Sequence, residues 1–360
     1  MRPVLVLLLL GGTAWADTAA THERTVTKLA EGVYYIRHPD APDEFPQSNT
    51  VVMIGQKDVL VVDSCYLPSD ARKDIAQIQK WTKKPVRYLV NTHWHYDHTM
   101  GNGAYGEAFP GITVIAHSET AKHMRGYNPA WFERYPRITA ERRAELAAGK
   151  DADGKELTAE RRAELTKQLP ARDKVAAEFK LIRDRLPDTT FDNELRLDLG
   201  DREVWIRHLG RGNTSGDAIL YLPREKILVT GDLLDHPIPY LGGGFPSELV
   251  VTLGKMARID AETVVPGHGE ILTRERAKAH IAHVIEFVSL IVDRVSQEIY
   301  RIGSGPRNLE KVREAVLKSI DVAAWRQTFG GNDSPDNRDY FDDFSLPGVI
   351  TAAWADMWKR

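Results

Sequence analysis

The chain contains a single cysteine, Cys65, in 360 residues. No internal disulfide can form, so the fold has to rest on a hydrophobic core, for which this length is ample. A surplus of charge of one sign is also missing. Lys and Arg number 48 and Asp and Glu 51, a net charge of −3, which argues against nucleic acid as a partner. Long apolar runs are scarce as well. The run Val4 to Leu10 is far short of the roughly 20 residues that span a bilayer. The Gly242-Gly243-Gly244 run lacks the Lys-Ser/Thr ending of a phosphate-binding loop, which discounts a nucleotide site.

What the N-terminus does have is Arg2, the apolar stretch Val4 to Leu10 and Ala14-Trp15-Ala16. That order reads as a secretory signal peptide over residues 1–16, cleaved before Asp17. The expected mature protein is secreted to a periplasm, with no membrane span and no cysteine placed to take a lipid. Cys65 follows an apolar strand pattern and reads as a packed small residue rather than a nucleophile.

The stretch that organises the chain is Asn91-Thr92-His93-Trp94-His95-Tyr96-Asp97-His98. It follows the apolar run Val86 to Val90, which reads as a buried strand. Histidine is only 12 of 360 residues, so three with an aspartate inside six positions is a poor match to chance. His93 and His95, two apart in extended chain, project to one side. Asp97 and His98 come as the chain turns and can face a second point. Imidazole and carboxylate together suit zinc or a similar transition metal better than calcium or magnesium. Asp232 and His268 each follow a short apolar strand pattern, so further donor-type residues arrive at strand exits.

The pattern His93-x-His95-x-Asp97-His98 resembles the signature of the metallo-beta-lactamase superfamily. Val59-Leu60-Val61-Val62-Asp63, Gly212-Asn213-Thr214-Ser215-Gly216-Asp217, Thr230-Gly231-Asp232 and Pro266-Gly267-His268-Gly269 extend the resemblance in order over about residues 30 to 275. Asn213 stands where the family usually has histidine. The resemblance implies an α/β fold, a four-layer αβ/βα sandwich. It also implies one or two Zn2+ ions. His93 and His95 would bind the first with Asn213 in the third position, Asp97, His98 and His268 the second, and Asp232 would bridge. Asp97 would be the catalytic proton carrier, and Asp63 a support for the metal loop rather than a ligand. If Asn213 does not ligate, a water or a side chain such as His208 completes the first shell. His236 and Tyr240, shortly after Asp232, are candidates to line the substrate pocket, and His117 is a further strand-end histidine.

The implied activity is zinc-dependent hydrolysis of ester, lactone, thioester or amide bonds in a small-molecule substrate, β-lactams included. Two alternatives stay open. One is a di-iron redox protein of the same fold, whose relatives usually have an acidic residue in place of the second histidine. The other is a degenerate metal-binding protein without catalysis, for which Asn213 is the sign.

Outside the motifs, strand patterns are expected over Gly32–Ile36, Thr50–Ile54, Val59–Val62, Ile112–Ala116, the two arms of Leu195–Leu209, Ala218–Leu222 and Lys226–Val229. A helix is expected over Asp70–Thr82, and Gly101-Asn102-Gly103 is expected to loop out. From about 136 to 186 the composition turns to Glu, Arg, Lys and Ala. The octet Thr139 to Leu146 is repeated without change at Thr158 to Leu165. Each copy offers a threonine N-cap, so two inserted helices outside the core are expected, either as a solvated face or as a lid or dimerisation arm. The catalytic domain is thus placed at 17–275 and a helical extension at 276–360. That extension either packs on the catalytic domain or forms a partner or homodimer surface.

Overall fold

The computed structural model describes residues 23–358, so the expected signal peptide lies outside the described residues. Among the described residues, thirteen strands form two sheets. The first, in spatial order, is β1 (Thr25–Ala30), β2 (Val33–Arg37), β3 (Thr50–Ile54), β4 (Val59–Val62), β5 (Val86–Val90), β6 (Thr113–His117) and β7 (Thr189–Phe191). The second runs β13 (Leu272–Thr273), β12 (Thr263–Pro266), β11 (Ile227–Gly231), β10 (Ile219–Leu222), β9 (Glu203–Arg207), β8 (Glu194–Asp198). Strands β4 to β7 pair parallel, as do β11 and β12, and the other pairs are antiparallel.

Alternation of side chains along the strands builds the layers. In β4, Leu60 and Val62 face the second sheet, and Val59 and Val61 face helices α1 (Pro68–Trp81) and α3 (Asn102–Ala108), which follows the one-turn α2 (Tyr96–Thr99). In β10, Leu220 and Leu222 point back into the same inter-sheet core, and Ile219 and Tyr221 point out to the other helical layer. Full burial of each such aliphatic side chain is worth about 1.5–3 kcal/mol. The result is the four-layer αβ/βα sandwich.

Two helical regions are added to it. Between β6 and β7, α4 (Ser118–Ala148) and α5 (Ala159–Phe179) form an antiparallel hairpin. The change of composition at 136 does not mark its start, because α4 begins directly after β6. Thr158 caps α5 as its sequence indicates, accepting a hydrogen bond from the Arg161 N–H. Thr139 does not cap. It is buried inside α4 and donates to the Tyr135 carbonyl. Nor does the hairpin stand clear of the core: Tyr135, Val175 and Phe179 pack with Ala41, Tyr66, Leu67 and Met100.

After α6 (Pro246–Met256) and β13, the C-terminal region supplies α7 (Arg274–Ile302), α8 (Leu309–Ser319), α9 (Val322–Thr328), α10 (Pro335–Asp339), a π-helical turn Tyr340–Ser345, and α11 (Leu346–Trp358). The apolar face of α7, from Ile281 to Val295, is spent inside the molecule. It joins α6, α8, α11 and the outer face of the second sheet in one core. No helix among the described residues is long and apolar enough to cross a membrane.

Gly101 to Gly103 do not loop out. Asn102 and Gly103 open α3, and Asn102 is buried with its amide donating to Asn91 Oδ1 at 2.8 Å. The glycines serve close approach: a Cβ on Gly101 would sit 1.9 Å from the Ser64 carbonyl oxygen, and one on Gly103 2.1 Å from that of Arg183.

Candidate metal centre

The donor-type residues all lie on segments that leave or enter the strands at one edge of the sandwich. β4 leads into Asp63, β5 leads into His93 to His98, the segment before β10 carries Asn213, and β11 and β12 lead to Asp232 and His268. Gly231 adopts φ +52, and a Cβ there would meet Thr92 at 2.7 Å. A Cβ on Gly267 would meet Asp232 Oδ1 at 2.0 Å. These two glycines let the β11 and β12 exits close on the β5 loop.

The structure gathers the donors into two groups that share Asp232: Asp97, His98, His268 and Asp232, and His93, His95 and Asp232, each with its ligand atoms within 4.8 Å of one another. In the first, His98 Nε2 lies 3.0 Å from Asp232 Oδ1 and 3.3 Å from Asp97 Oδ2, and His268 Nε2 lies 2.9 Å from Asp97 Oδ2. In the second, His93 Nε2 lies 3.3 Å from Asp232 Oδ2. The Asn213 amide completes it, 3.5 Å from His93 Nε2, 3.4 Å from His95 Nδ1 and 3.3 Å from Asp232 Oδ2. His208 belongs to neither group. Its Nδ1 donates to the Asp217 carbonyl, and its ring lies 4.2 Å from that of His117. His117 itself caps α4, with Nε2 on the Asp192 carbonyl.

Neighbouring residues fix which nitrogen each histidine presents. His98 Nδ1 donates to Asp63 Oδ2 at 2.8 Å, which leaves Nε2 with its lone pair toward the cluster. Thr92 Oγ1 donates to the same Asp63 oxygen, so it accepts from His93 Nδ1 at 3.1 Å and turns His93 Nε2 inward. Asp63 also accepts from the Thr92 N–H, from a left-handed backbone of φ +57. Asp217 accepts from the Thr214 N–H and Oγ1 and so shapes the turn that carries Asn213. Burial pushes the Asp217 carboxyl up to about 6.

A metal fits this donor set on an observation independent of residue type. His98 Nε2, Asp232 Oδ1 and Asn213 Oδ1 are all buried and none has a hydrogen-bond partner. Buried polar atoms left this way are costly. His98 Nε2 and Asp232 Oδ1 lie 3.0 Å apart, close enough for both to serve one ion. Without a cation the electrostatics show the same demand. Burial favours neutral imidazole, but Asp232, Asp97 and Asp63 outweigh it at His98 and raise its pKa well above the ordinary value. At His268 burial is likewise overcome, by Asp232 and Asp97, and the pKa rises to about 9. Asp97, pushed up by burial, is nonetheless held well below the usual carboxylate range by His98 and His268. His95, half-buried, is lowered to about 3 by desolvation and by neighbouring His93, and stays a neutral donor.

The two pocket candidates separate. The His236 ring lies 5.1 Å from His280, and burial beside His280 lowers its pKa to about 4. Its main chain, not its ring, meets the site, with its N–H on the His268 carbonyl. Tyr240 lines a small pocket of about 10 Å3 with Asp232, Asp235, Leu241 and Val349, room for about one water. Burial raises its phenol to about 12, so it remains a donor at neutral pH. Two residues there were not singled out from sequence. Asp235 is buried with Oδ1 unpartnered. Tyr340, from the C-terminal π-helical turn, stacks on Phe344, which in turn lies 6.2 Å from Tyr240. No local sequence signal marks Tyr340.

Comparison with known proteins places the chain. The model of the metallo-beta-lactamase superfamily matches residues 43–268. The chain belongs to the metallo-beta-lactamase superfamily. It is 22% identical over 274 residues to the linear primary-alkylsulfatase of Pseudomonas sp. (strain ATCC 19151), covering 71% of this chain and 48% of the relative. The chain thus spans about half the length of that relative. It is also 22% identical over 305 residues to the 2,4-dinitroanisole O-demethylase subunit alpha of Nocardioides sp. (strain JS1661), covering 84% and 72%. Among solved structures, a metallo-beta-lactamase from Pontibacter korlensis superposes with a TM-score of 0.51 at 17% identity, over 74% of this chain and 99% of that one. The mono-zinc form of FIM-1 from Pseudomonas aeruginosa superposes with 0.50 at 18%, over 74% and 96%. At these identities the likeness establishes the superfamily's fold, and members of this superfamily are mostly metal-dependent hydrolases.

Proposed function

We propose that this superfamily member is an exported zinc-dependent hydrolase of ester, lactone, thioester or amide bonds, β-lactams included, in small-molecule substrates. The observation that carries the proposal is the pair of donor groups sharing Asp232, the ligand atoms of each within 4.8 Å of one another. Asp97, His98, His268 and Asp232 would hold one ion, and His93, His95, Asp232 and Asn213 the other. Bound zinc supplies a Lewis acid that lowers the pKa of a water from about 15.7 towards 7 and polarises the scissile group. Asp97, between His98 and His268, stays a carboxylate. It takes the proton of the attacking water at a carboxylate oxygen and returns it to the leaving group. Asp63 holds His98 in the required tautomer. Tyr240, which lines the small pocket beside Asp232, would border the bound substrate.

The names of the two curated relatives widen the panel to alkyl sulfate esters and aryl methyl ethers. The test is metal analysis of protein purified without added metal, followed by that panel with carboxylic esters, lactones, thioesters and β-lactams. Zinc with turnover supports the proposal. Iron supports a redox protein, and metal without turnover a binding protein. Export rests on Arg2, Val4 to Leu10 and Ala14 to Ala16. N-terminal sequencing of secreted protein should begin at Asp17, and intact Met1 in the cytoplasm of the native host contradicts it.

A further inference from the structure

The metal loop alternates donors with spacers, and the spacers are gripped from behind. Trp94, between His93 and His95, stacks on His123 of α4 with ring centroids 5.4 Å apart and planes 22° apart. Tyr96, between His95 and Asp97, stacks on Trp131 of α4 at 5.0 Å and 6°. The Trp94 ring is itself only 4.5 Å from the His95 ring. One turn after Trp131, Tyr135 donates to the Asp43 carboxylate in the segment joining β2 to β3. Arg172 of α5 lies over the Tyr135 ring at 4.4 Å. That β2–β3 segment reaches the metal loop, where the Ser48 N–H donates to the Asp97 carbonyl at 3.3 Å. One helix therefore touches the residue before Asp97 directly and reaches the Asp97 carbonyl through the β2–β3 segment.

We propose that α4 of the helical insertion is a positioning element for the metal donors. His123 acts on His95 through Trp94. Trp131 and Tyr135 act on Asp97 through Tyr96 and the Asp43 segment. The inference rests on the metal-site reading and extends it to residues that touch no donor atom. Donor geometry tolerates little looseness, and loss of partners outside the ligand shell weakens metal binding by about 10–100-fold.

The test titrates metal-free full-length protein with cobalt(II), following its visible absorption, and then competes with zinc. Trp131→Ala and Tyr135→Phe should weaken binding at the Asp97 group, the first by about tenfold or more. Trp131→Ala should also alter the cobalt spectrum, which reports coordination geometry and is indifferent to general stability. Trp131→Phe keeps a stacking ring and should restore both. His123→Ala should act on the His95 group alone. If Trp131→Ala fails to fold, Tyr135→Phe, which loses one hydroxyl, and His123→Ala on the partly exposed face decide. Folded variants with parent-like affinity and spectrum overturn this proposal alone. A parent that takes up neither cobalt nor zinc overturns the metal-site reading and this proposal with it.

Discussion

His38, Cys65 and Asp74 bring their ligand-type atoms within 4.8 Å of one another and are all buried, as are Asp97, His98 and Asp232. By residue type and proximity the two clusters look alike. Their hydrogen bonds differ. Asp74 Oδ1 accepts from Arg24 Nε at 3.0 Å and Nη2 at 2.7 Å, and its Oδ2 accepts from His38 Nε2 at 2.7 Å. His38 Nδ1 donates to the Ser48 carbonyl at 2.7 Å, and the Cys65 thiol donates to the Leu67 carbonyl at 3.7 Å. Every donor atom there is consumed by protein. In the other cluster His98, His268, Asp97 and Asp232 crowd their ligand-type atoms together, with His98 Nε2 3.0 Å from Asp232 Oδ1, and neither of those two atoms has a well-formed hydrogen bond. Such atoms, more than the residue types, distinguish a metal site from a buried ion pair.

The largest test of that difference removes the shared donor. Asp232→Ala should cut turnover by more than about a hundredfold, beyond what loss of an outer partner does, and should lower metal content at both groups. Steady-state kinetics, metal analysis and circular dichroism check it, and near-normal kcat at sub-stoichiometric metal would show the assignment wrong. Next, Asp63→Ala takes away the acceptor that orients His98, and should weaken zinc at the Asp97 group by about 10–100-fold. An unchanged affinity in a competitive titration would remove Asp63 from the account. Third, Asn213→His replaces a weak amide donor by imidazole and should tighten the His93–His95 group by about tenfold or more.

The smallest effect on zinc is expected from the saturated cluster. His38→Gln should leave zinc affinity within about twofold but cost about 3 kcal/mol of stability, since it strips a partner from a buried carboxylate. Burial opposes charge on His38, but Asp74 and the Ser48 carbonyl outweigh it and its pKa is raised from 6.5. Both ring nitrogens face acceptors, so the imidazolium is the form that satisfies them. A raised folded pKa means the contribution is complete below about pH 6.5 and is lost as pH rises through the folded value. Melting curves of parent and variant should converge with rising pH. A gap that widens would contradict this.

Much of the scaffold could be read in advance because its signal is local. Val59 to Val62 alternate between two cores, and the β5 run ends in the donors. Strand boundaries moved by a residue or two, as from Ile112–Ala116 to Thr113–His117, because edges depend on pairing partners. Asn213, singled out by the segment's resemblance to the family pattern, has its amide within 3.5 Å of His93, His95 and Asp232. Tyr340, Trp131 and Tyr135 were illegible for the opposite reason: their proximity to the site is made by tertiary packing, with no spacing to betray it. The repeated octet shows how context decides. Thr158 follows a turn and caps a helix, while Thr139 follows a stretch of α4 anchored by Trp131 on Tyr96 and by Tyr135 on Asp43, and lies mid-helix. Glycine misled at Gly101, where close packing on Ser64 and not chain reversal explains the residue.

The central claim is that two donor groups of unequal strength share Asp232. Competitive zinc titration of the metal-free protein tests it most directly. The account predicts two zinc ions per chain loaded in sequence, the first at Asp97, His98, His268 and Asp232, the second, weaker, at His93, His95 and Asn213. Two equally tight sites, or none, would contradict it.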